Sequence, residues 1–149
     1  MPVDGSPTSM AVAEAVEEFA RLFGSEVLVL HVWPLQLSPV YVAPGIPVFS
    51  TDPSGIFPIP PPEKDEMTAP SAERLRRAGL QVTRISASGD AASEILDQCH
   101  ARDADLVALG THGRSGVSRW VLGSVAERVL RHARTPILLV RTPSSANAG

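Results

Sequence analysis

Three short apolar runs, Val27-Leu28-Val29-Leu30, Leu106-Val107-Ala108-Leu109 and Ile137-Leu138-Leu139-Val140, are set among segments with helical periodicity, and they constrain this chain more than any other feature. Runs this short and this rich in valine and leucine suit strands covered on both faces. Strands that alternate with helices pair in parallel through right-handed crossovers. The expected fold is therefore α/β, a single doubly wound sheet of mainly parallel strands with helices on both faces. Sheets of this kind bind ligands at the carboxyl ends of their strands, where the winding reverses.

The elements can be placed from local signals. Ser6-Pro7 starts a helix, with a hydroxyl for an orphan N–H and a proline suited to the first turn. Val12, Val16, Phe19 and Phe23 recur at helical spacing and Gly24 supplies a left-handed stop, which predicts a helix over Pro7 to Phe23. A buried strand follows within Glu26 to Trp33. A shorter helix spans Ser71 to Ala78 and is stopped by Gly79, with Pro70 either opening it or kinking a longer one. Leu80 to Ser86 reads as a more exposed strand. Asp90, after Gly89, caps a helix whose inner face is Ile95, Leu96 and Cys99. Strand Asp105 to Leu109, a helix near Ser124 to Ala133 and a last strand, Pro136 to Val140, complete the order.

Residues 1–149 read as one domain with two irregular parts. Nine of the 14 prolines fall between positions 34 and 62, which makes that stretch a long loop or insertion. Its apolar residues, among them Val40, Tyr41, Phe49 and Phe57, either fold over a pocket as a lid, pack on a partner, or belong to a variable loop without a role. Residues 142–149 are small and polar and are expected to be disordered.

Composition removes several function classes. Hydrophobic residues at 44% and charged residues at 19% suit a globular protein, and no run reaches the ~18 apolar residues of a membrane span. The first residues lack a basic start and an apolar stretch, so a cytoplasmic location is expected. A net charge of -3 disfavours nucleic acid and acidic lipid as partners. The only lysine is Lys64 and no Gly-Lys pair occurs, which excludes a Walker phosphate loop. Cys99, alone, can form neither an intrachain disulfide nor a zinc cluster and reads as a small apolar filler. The histidines at 31, 100, 112 and 132 form no metal pattern. His112 has no carboxylate neighbour and reads as structural, and His31 as a buried strand-end residue.

The segment from Gly110 to Ser124 carries the chemistry. Gly110 and Gly113 follow a buried strand, where missing side chains let backbone N–H groups approach a phosphate. Gly123-Ser124 opens a helix whose positive dipole end faces the same region, and Ser124 adds a hydroxyl. With no lysine in this segment, Arg114 and Arg119 are its available phosphate charges. Trp120 reads as an anchor for the loop on the protein or on a partner.

This Gly-x2-Gly-x9-Gly-Ser spacing resembles the ATP-binding signature of the universal stress protein family. The resemblance covers nearly the whole chain outside the proline-rich stretch. Val3-Asp4-Gly5-Ser6 looks like the end of that family's first strand, Leu30-His31-Val32 the end of its second, Gly89-Asp90 the opening of its third helix and Thr135 to Val140 its closing strand. It implies strand order 3-2-1-4-5, as in adenine-nucleotide-binding α/β folds, and an ATP with Mg. Pro2, Val3, Asp4 and Val32 would surround the adenine, Leu109 and Gly110 the ribose side, and Gly113, Gly123, Ser124 and Val125 the phosphates. Asp4 has a second reading, as a cap of the first helix. The resemblance also implies a homodimer through the last strand, Ile137 to Val140.

One departure stands out. Only Pro2 and Val3 precede Asp4, so the first strand is unusually short: either the native start lies upstream of Met1 or the central strand is a stub. The function expected is a regulatory ATP-binding stress protein with at most slow hydrolysis and no assigned catalytic residue. A dimeric scaffold of the same fold with an empty site is the alternative. An adenylating enzyme is disfavoured, because no Ser-Gly-Gly-x-Asp-Ser loop occurs.

Overall fold

The computed structural model describes residues 1–35, 37–39, 56–58, 65–111 and 122–141. In chain order the elements are β1 (Pro2–Val3), α1 (Pro7–Phe23), β2 (Val27–Trp33), β3 (Leu37–Pro39), β4 (Ile56–Pro58), α2 (Ala69–Arg77), β5 (Val82–Ser88), α3 (Ala91–Ala101), β6 (Val107–Gly110), α4 (Ser124–His132) and β7 (Ile137–Val140).

Parallel ladders join β1 to β2, β2 to β5, and β6 to β7. They supply the 3-2-1 and 4-5 parts of the expected order; among the described residues β1 and β6 share no ladder. Side chains show that the two groups of strands still act as one layer. Val27 and Val29 of β2 share a buried cluster with Ala108 of β6, with α1 residues Val12, Val16 and Ala20, and with α2 residues Ala72 and Leu75. Leu30 of β2 joins Val107 and Leu109 of β6 in a second cluster with Ala92 and Ile95 of α3 and Val129 of α4. Successive residues of a strand point to opposite faces, so one face carries α1 and α2 and the other α3 and α4. Helices therefore cover both faces, as expected.

Local signals set several boundaries. Gly24 ends α1 in the left-handed region at φ 62, its N–H bonded to Ala20 O. Pro70 lies in the first turn of α2 and opens it, which resolves the choice left by the sequence. Asp90 caps α3, accepting from Ser93 N at 3.0 Å.

Three expectations are corrected. Ser6 makes no side-chain capping bond; the Asp4 carboxylate takes that place, accepting from Ser6 N at 3.0 Å and Ser9 Oγ at 2.8 Å. Phe19 and Phe23 do not complete the inner face of α1, being 38% and 68% exposed. They stack on each other with centroids 4.7 Å apart, and Ala13 and Ala20 fill the inner face instead. The proline-rich stretch is not loop throughout, because β3 and β4 pair antiparallel from Leu37↔Pro58 to Pro39↔Ile56. Proline lacks a ladder donor but is tolerated in edge strands of this kind. Residues 36, 40–55 and 59–62 of that stretch and the tail 142–149 lie outside the described residues. Among the described residues no helix is long and apolar enough to cross a membrane.

Candidate functional site

A cavity of about 380 Å3 opens at the carboxyl ends of β1, β2 and β6, against the first turns of α1 and α4. Pro2, Val3, Asp4, Val32, Leu109, Gly110, Gly123, Ser124 and Val125, all singled out from the sequence, line it together with Thr8, Ser9, His31, Pro34 and Ala91. Of the other expected site residues, Gly113 and Arg114 lie outside the described residues, as do Arg119, His112 and Trp120. A larger cleft of about 910 Å3 lies at the opposite, amino-terminal ends of the strands, and among the described residues Gly110, Gly123 and Ser124 do not line it. Of these two, the smaller cavity is the chemical candidate because it joins strand carboxyl ends to a helix amino terminus.

The sequence explains why these groups converge. β6 ends at Gly110, Thr111 N–H donates to Val140 O at 3.1 Å, and Gly123 N–H donates to Thr111 O at 2.9 Å. That last bond returns the chain to the sheet at the place where α4 starts. Gly123 is the N-cap and makes no side-chain capping bond, so the first turn of α4 meets the cavity with backbone and the Ser124 hydroxyl. The first intrahelical bond, Glu127 N to Gly123 O at 2.8 Å, leaves the N–H groups of the preceding turn without an acceptor inside the helix. Gly123 shapes this mouth, but its own N–H is already bonded and is not a donor for a ligand.

Asp4 takes part in the start of α1, the second of its two readings, and also borders the cavity. Its Oδ1 ties Ser6 and Ser9 into that start. The knot closes with Asp4 N–H donating to Ser9 Oγ at 3.1 Å.

His31 is buried, as expected, and its partner, Asp65, is not apparent from the sequence. Asp65 Oδ2 accepts from His31 Nδ1 at 2.9 Å, from Ser86 Oγ at 2.7 Å and from Trp33 Nε1 at 3.2 Å, and Oδ1 accepts from Met67 N at 2.9 Å. An ionised carboxylate only accepts, so the His31 proton sits on Nδ1. Burial pushes the Asp65 carboxyl up, and the bonds from Ser86, Met67 and His31 outweigh it, holding the group below its ordinary 3.8. Thr68 Oγ1 donates to Asp65 O at 2.9 Å, and the Arg84 guanidinium donates to the same carbonyl and to Thr68 Oγ1. The cluster joins the strand ends of β2 and β5 to the entry of α2. Three acidic residues, Glu63, Asp65 and Glu66, lie between the proline-rich stretch and α2, and no local signal in the sequence singles out Asp65 among them.

A family model described as the universal stress protein family matches residues 1–141. A universal stress protein of Methanocaldococcus jannaschii is 30% identical over 143 residues, which are 96% of this chain and 81% of the relative. One from Mycolicibacterium smegmatis is 34% identical over 148 residues, but there the match covers 93% of this chain and only 44% of the relative. Among solved structures, a universal stress protein in complex with cAMP aligns with a TM-score of 0.65 at 18% identity, covering 96% of this chain and 94% of the other. The Archaeoglobus fulgidus protein in complex with dAMP aligns at 0.63 and 21%, covering 93% and 92%. At these identities the structural likeness speaks for the fold.

Proposed function

This chain belongs to the universal stress protein family, and we propose that it is a regulatory, cytoplasmic nucleotide-binding protein whose ligand is ATP with Mg. The adenine sits among Pro2, Val3, Asp4 and Val32, the ribose beside Leu109 and Gly110, and the phosphates over Gly113, Ser124 and Val125 with Gly123 shaping the turn and Arg114 adding charge. The observation that carries this reading is the shared cavity at the α4 mouth. Its volume, about 380 Å3, lies within the ~300–1,000 Å3 of small-molecule sites. Two relatives in the fold hold adenine nucleotides, cAMP and dAMP.

Among the described residues no group of three His, Cys, Asp or Glu side chains is placed to hold a metal ion. The protein therefore offers the magnesium no cage of its own in these parts, and in this proposal the ion arrives chelated by the triphosphate. A homodimer through β7 forms part of the same reading, supported by the position of that strand at a sheet edge and by Leu139, 37% exposed on it.

Thermal unfolding with and without Mg-ATP tests the reading. At nucleotide 100-fold above Kd, binding adds about 2.7 kcal/mol, a rise in Tm of about 5–10 °C for a chain of this size. The double variant Gly113→Val with Gly123→Val should lose that rise and keep the dimer. No rise in the unaltered protein at millimolar Mg-ATP leaves the scaffold alternative, which draws on the Gly123 N–H being already bonded.

A further inference from the structure

The cluster around Asp65 reaches the candidate cavity through His31, which borders it, whereas Asp65, Trp33 and Ser86 do not. The His31 ring is fixed on two sides. Nδ1 lies 2.9 Å from Asp65 Oδ2, and the Trp33 indole meets the ring edge-on, with centroids 4.6 Å apart and planes at 76°. The two nitrogens of an imidazole point nearly opposite ways, so a ring with Nδ1 turned to Asp65 directs Nε2 away from the cluster, on the side of the cavity. Among the described residues Nε2 has no hydrogen-bond partner.

The chemistry of that nitrogen follows from its neighbours. The Asp65 carboxylate accepts four bonds and donates none, which keeps the ring proton on Nδ1. In the neutral ring Nε2 is then a lone-pair acceptor. His31 is buried, and a buried acceptor left without a donor costs free energy. Ser9 Oγ, in the same wall, gives its proton to Asp4 Oδ1 and does not supply it. The occupant of the cavity is left to do so.

The surroundings decide which end of a nucleotide meets this acceptor. Val3 is the register partner of His31, so both side chains leave the sheet on one face, the face on which Val3 packs with Val12 of α1. Val3, Val12 and Pro2 border the same cavity. An acceptor among apolar side chains repels a phosphate and suits the edge of a planar base.

We infer that His31 is a specificity-determining residue of this cavity, its Nε2 accepting a hydrogen bond from the exocyclic amine of an aminopurine base. Asp65 is the positioning residue that sets the ring and its proton. The inference rests on the nucleotide reading above and names the side chain that would read the base. An oxo-purine presents an oxygen at the same point, and two acceptors would then face each other with no proton between them.

Three probes test this, each as its Mg complex: ATP, purine riboside triphosphate, which is ATP without the amine, and deoxyadenosine triphosphate, which lacks a ribose hydroxyl. They are titrated into the full chain and into His31→Asn. The asparagine amide nitrogen falls where Nδ1 stands and still donates to Asp65, but no acceptor remains at the Nε2 position. The unaltered protein should bind ATP at least about 5-fold more tightly than purine riboside triphosphate, and His31→Asn should bind the two within about 2-fold of each other. Loss of the ribose hydroxyl should affect both proteins equally. Nitrogen NMR of the unaltered protein gives a readout that needs no variant: at neutral pH the Nε2 resonance should be that of an unprotonated nitrogen, and it should move with ATP but not with purine riboside triphosphate. The inference is overturned by a protonated Nε2, by discrimination that His31→Asn retains, or by a preference over the deoxy nucleotide that His31→Asn abolishes, which would give the bond to the ribose. Binding of ATP and purine riboside triphosphate with equal affinity overturns the inference alone, whereas no binding of any of the three overturns the nucleotide reading and the inference with it.

Discussion

Replacing Asp65 by alanine removes the acceptor for four donors at once: His31 Nδ1, Trp33 Nε1, Ser86 Oγ and Met67 N. Asp65 is 3% exposed and His31 7%, so water cannot take over all of these bonds without opening the cluster. Breaking a buried pair of this kind costs about 3–5 kcal/mol, a fall in Tm of about 6–20 °C. Asp65→Asn should cost less, about 1–3 kcal/mol, because its amide oxygen can face the three donors on the Oδ2 side and leave only Met67 N without an acceptor. The pH dependence has a fixed sign. The folded carboxyl titrates below its unfolded 3.8, so its stabilisation is fully present above 3.8 and is lost as pH falls below that value. Urea unfolding at pH 7 and along an acid series measures both effects. The gap between the unaltered protein and Asp65→Ala should be widest at pH 7 and narrow in acid. A loss under about 1 kcal/mol for alanine, or a gap that stays constant down to pH 3, would refute the claim that Asp65 acts as an ionised acceptor at the root of α2.

Two further outcomes follow from other parts of the fold. The Arg128 guanidinium, 2.7 Å from Asp90, together with Ser93, holds the Asp90 carboxyl at about 2; Arg128→Ala should move its NMR titration back toward 3.8, and an unchanged midpoint would assign the effect to Ser93 alone. Leu75 is fully buried between α2 and the sheet, so Leu75→Ala should cost about 2–5 kcal/mol in urea unfolding; a loss near zero would mean that the α1–α2 face is loosely packed.

Legibility in the sequence tracked how local each cause is. Helix α1 could be bounded at Pro7 and Phe23 because a first-turn proline and the left-handed Gly24 act within one turn of the ends they set. Strands β2, β6 and β7 were visible as runs of valine and leucine, and the gathering of Gly110, Gly123 and Ser124 as a glycine spacing between a strand and a helix. What was not visible depends on distant partners. Asp65 meets His31 across 34 residues of chain and Ser86 across 21, and no periodicity connects them. Helical spacing put Phe19 and Phe23 with Val12 and Val16, but whether a stripe is covered depends on what faces it, and these two rings stay largely exposed.

The shortness of β1 bears on how the site is held. Two register pairs, Pro2↔Leu30 and Val3↔His31, give β1 little of its own hold on the sheet. Asp4 must nevertheless be positioned at the cavity mouth, one residue beyond the last of those pairs. The remaining constraint comes from the other side, where its carboxylate binds Ser6 N and Ser9 Oγ and its N–H returns to the same serine hydroxyl. Ser9 is 6% exposed and sits on the inner face of α1, so this knot is seated in the core. The adenine side of the proposed site is therefore fixed by a helix start that the strand itself is too short to replace. The phosphate side has an independent fastening, the Gly123 N–H to Thr111 O bond, at the far end of the glycine turn. The two halves of the site thus rest on separate local structures.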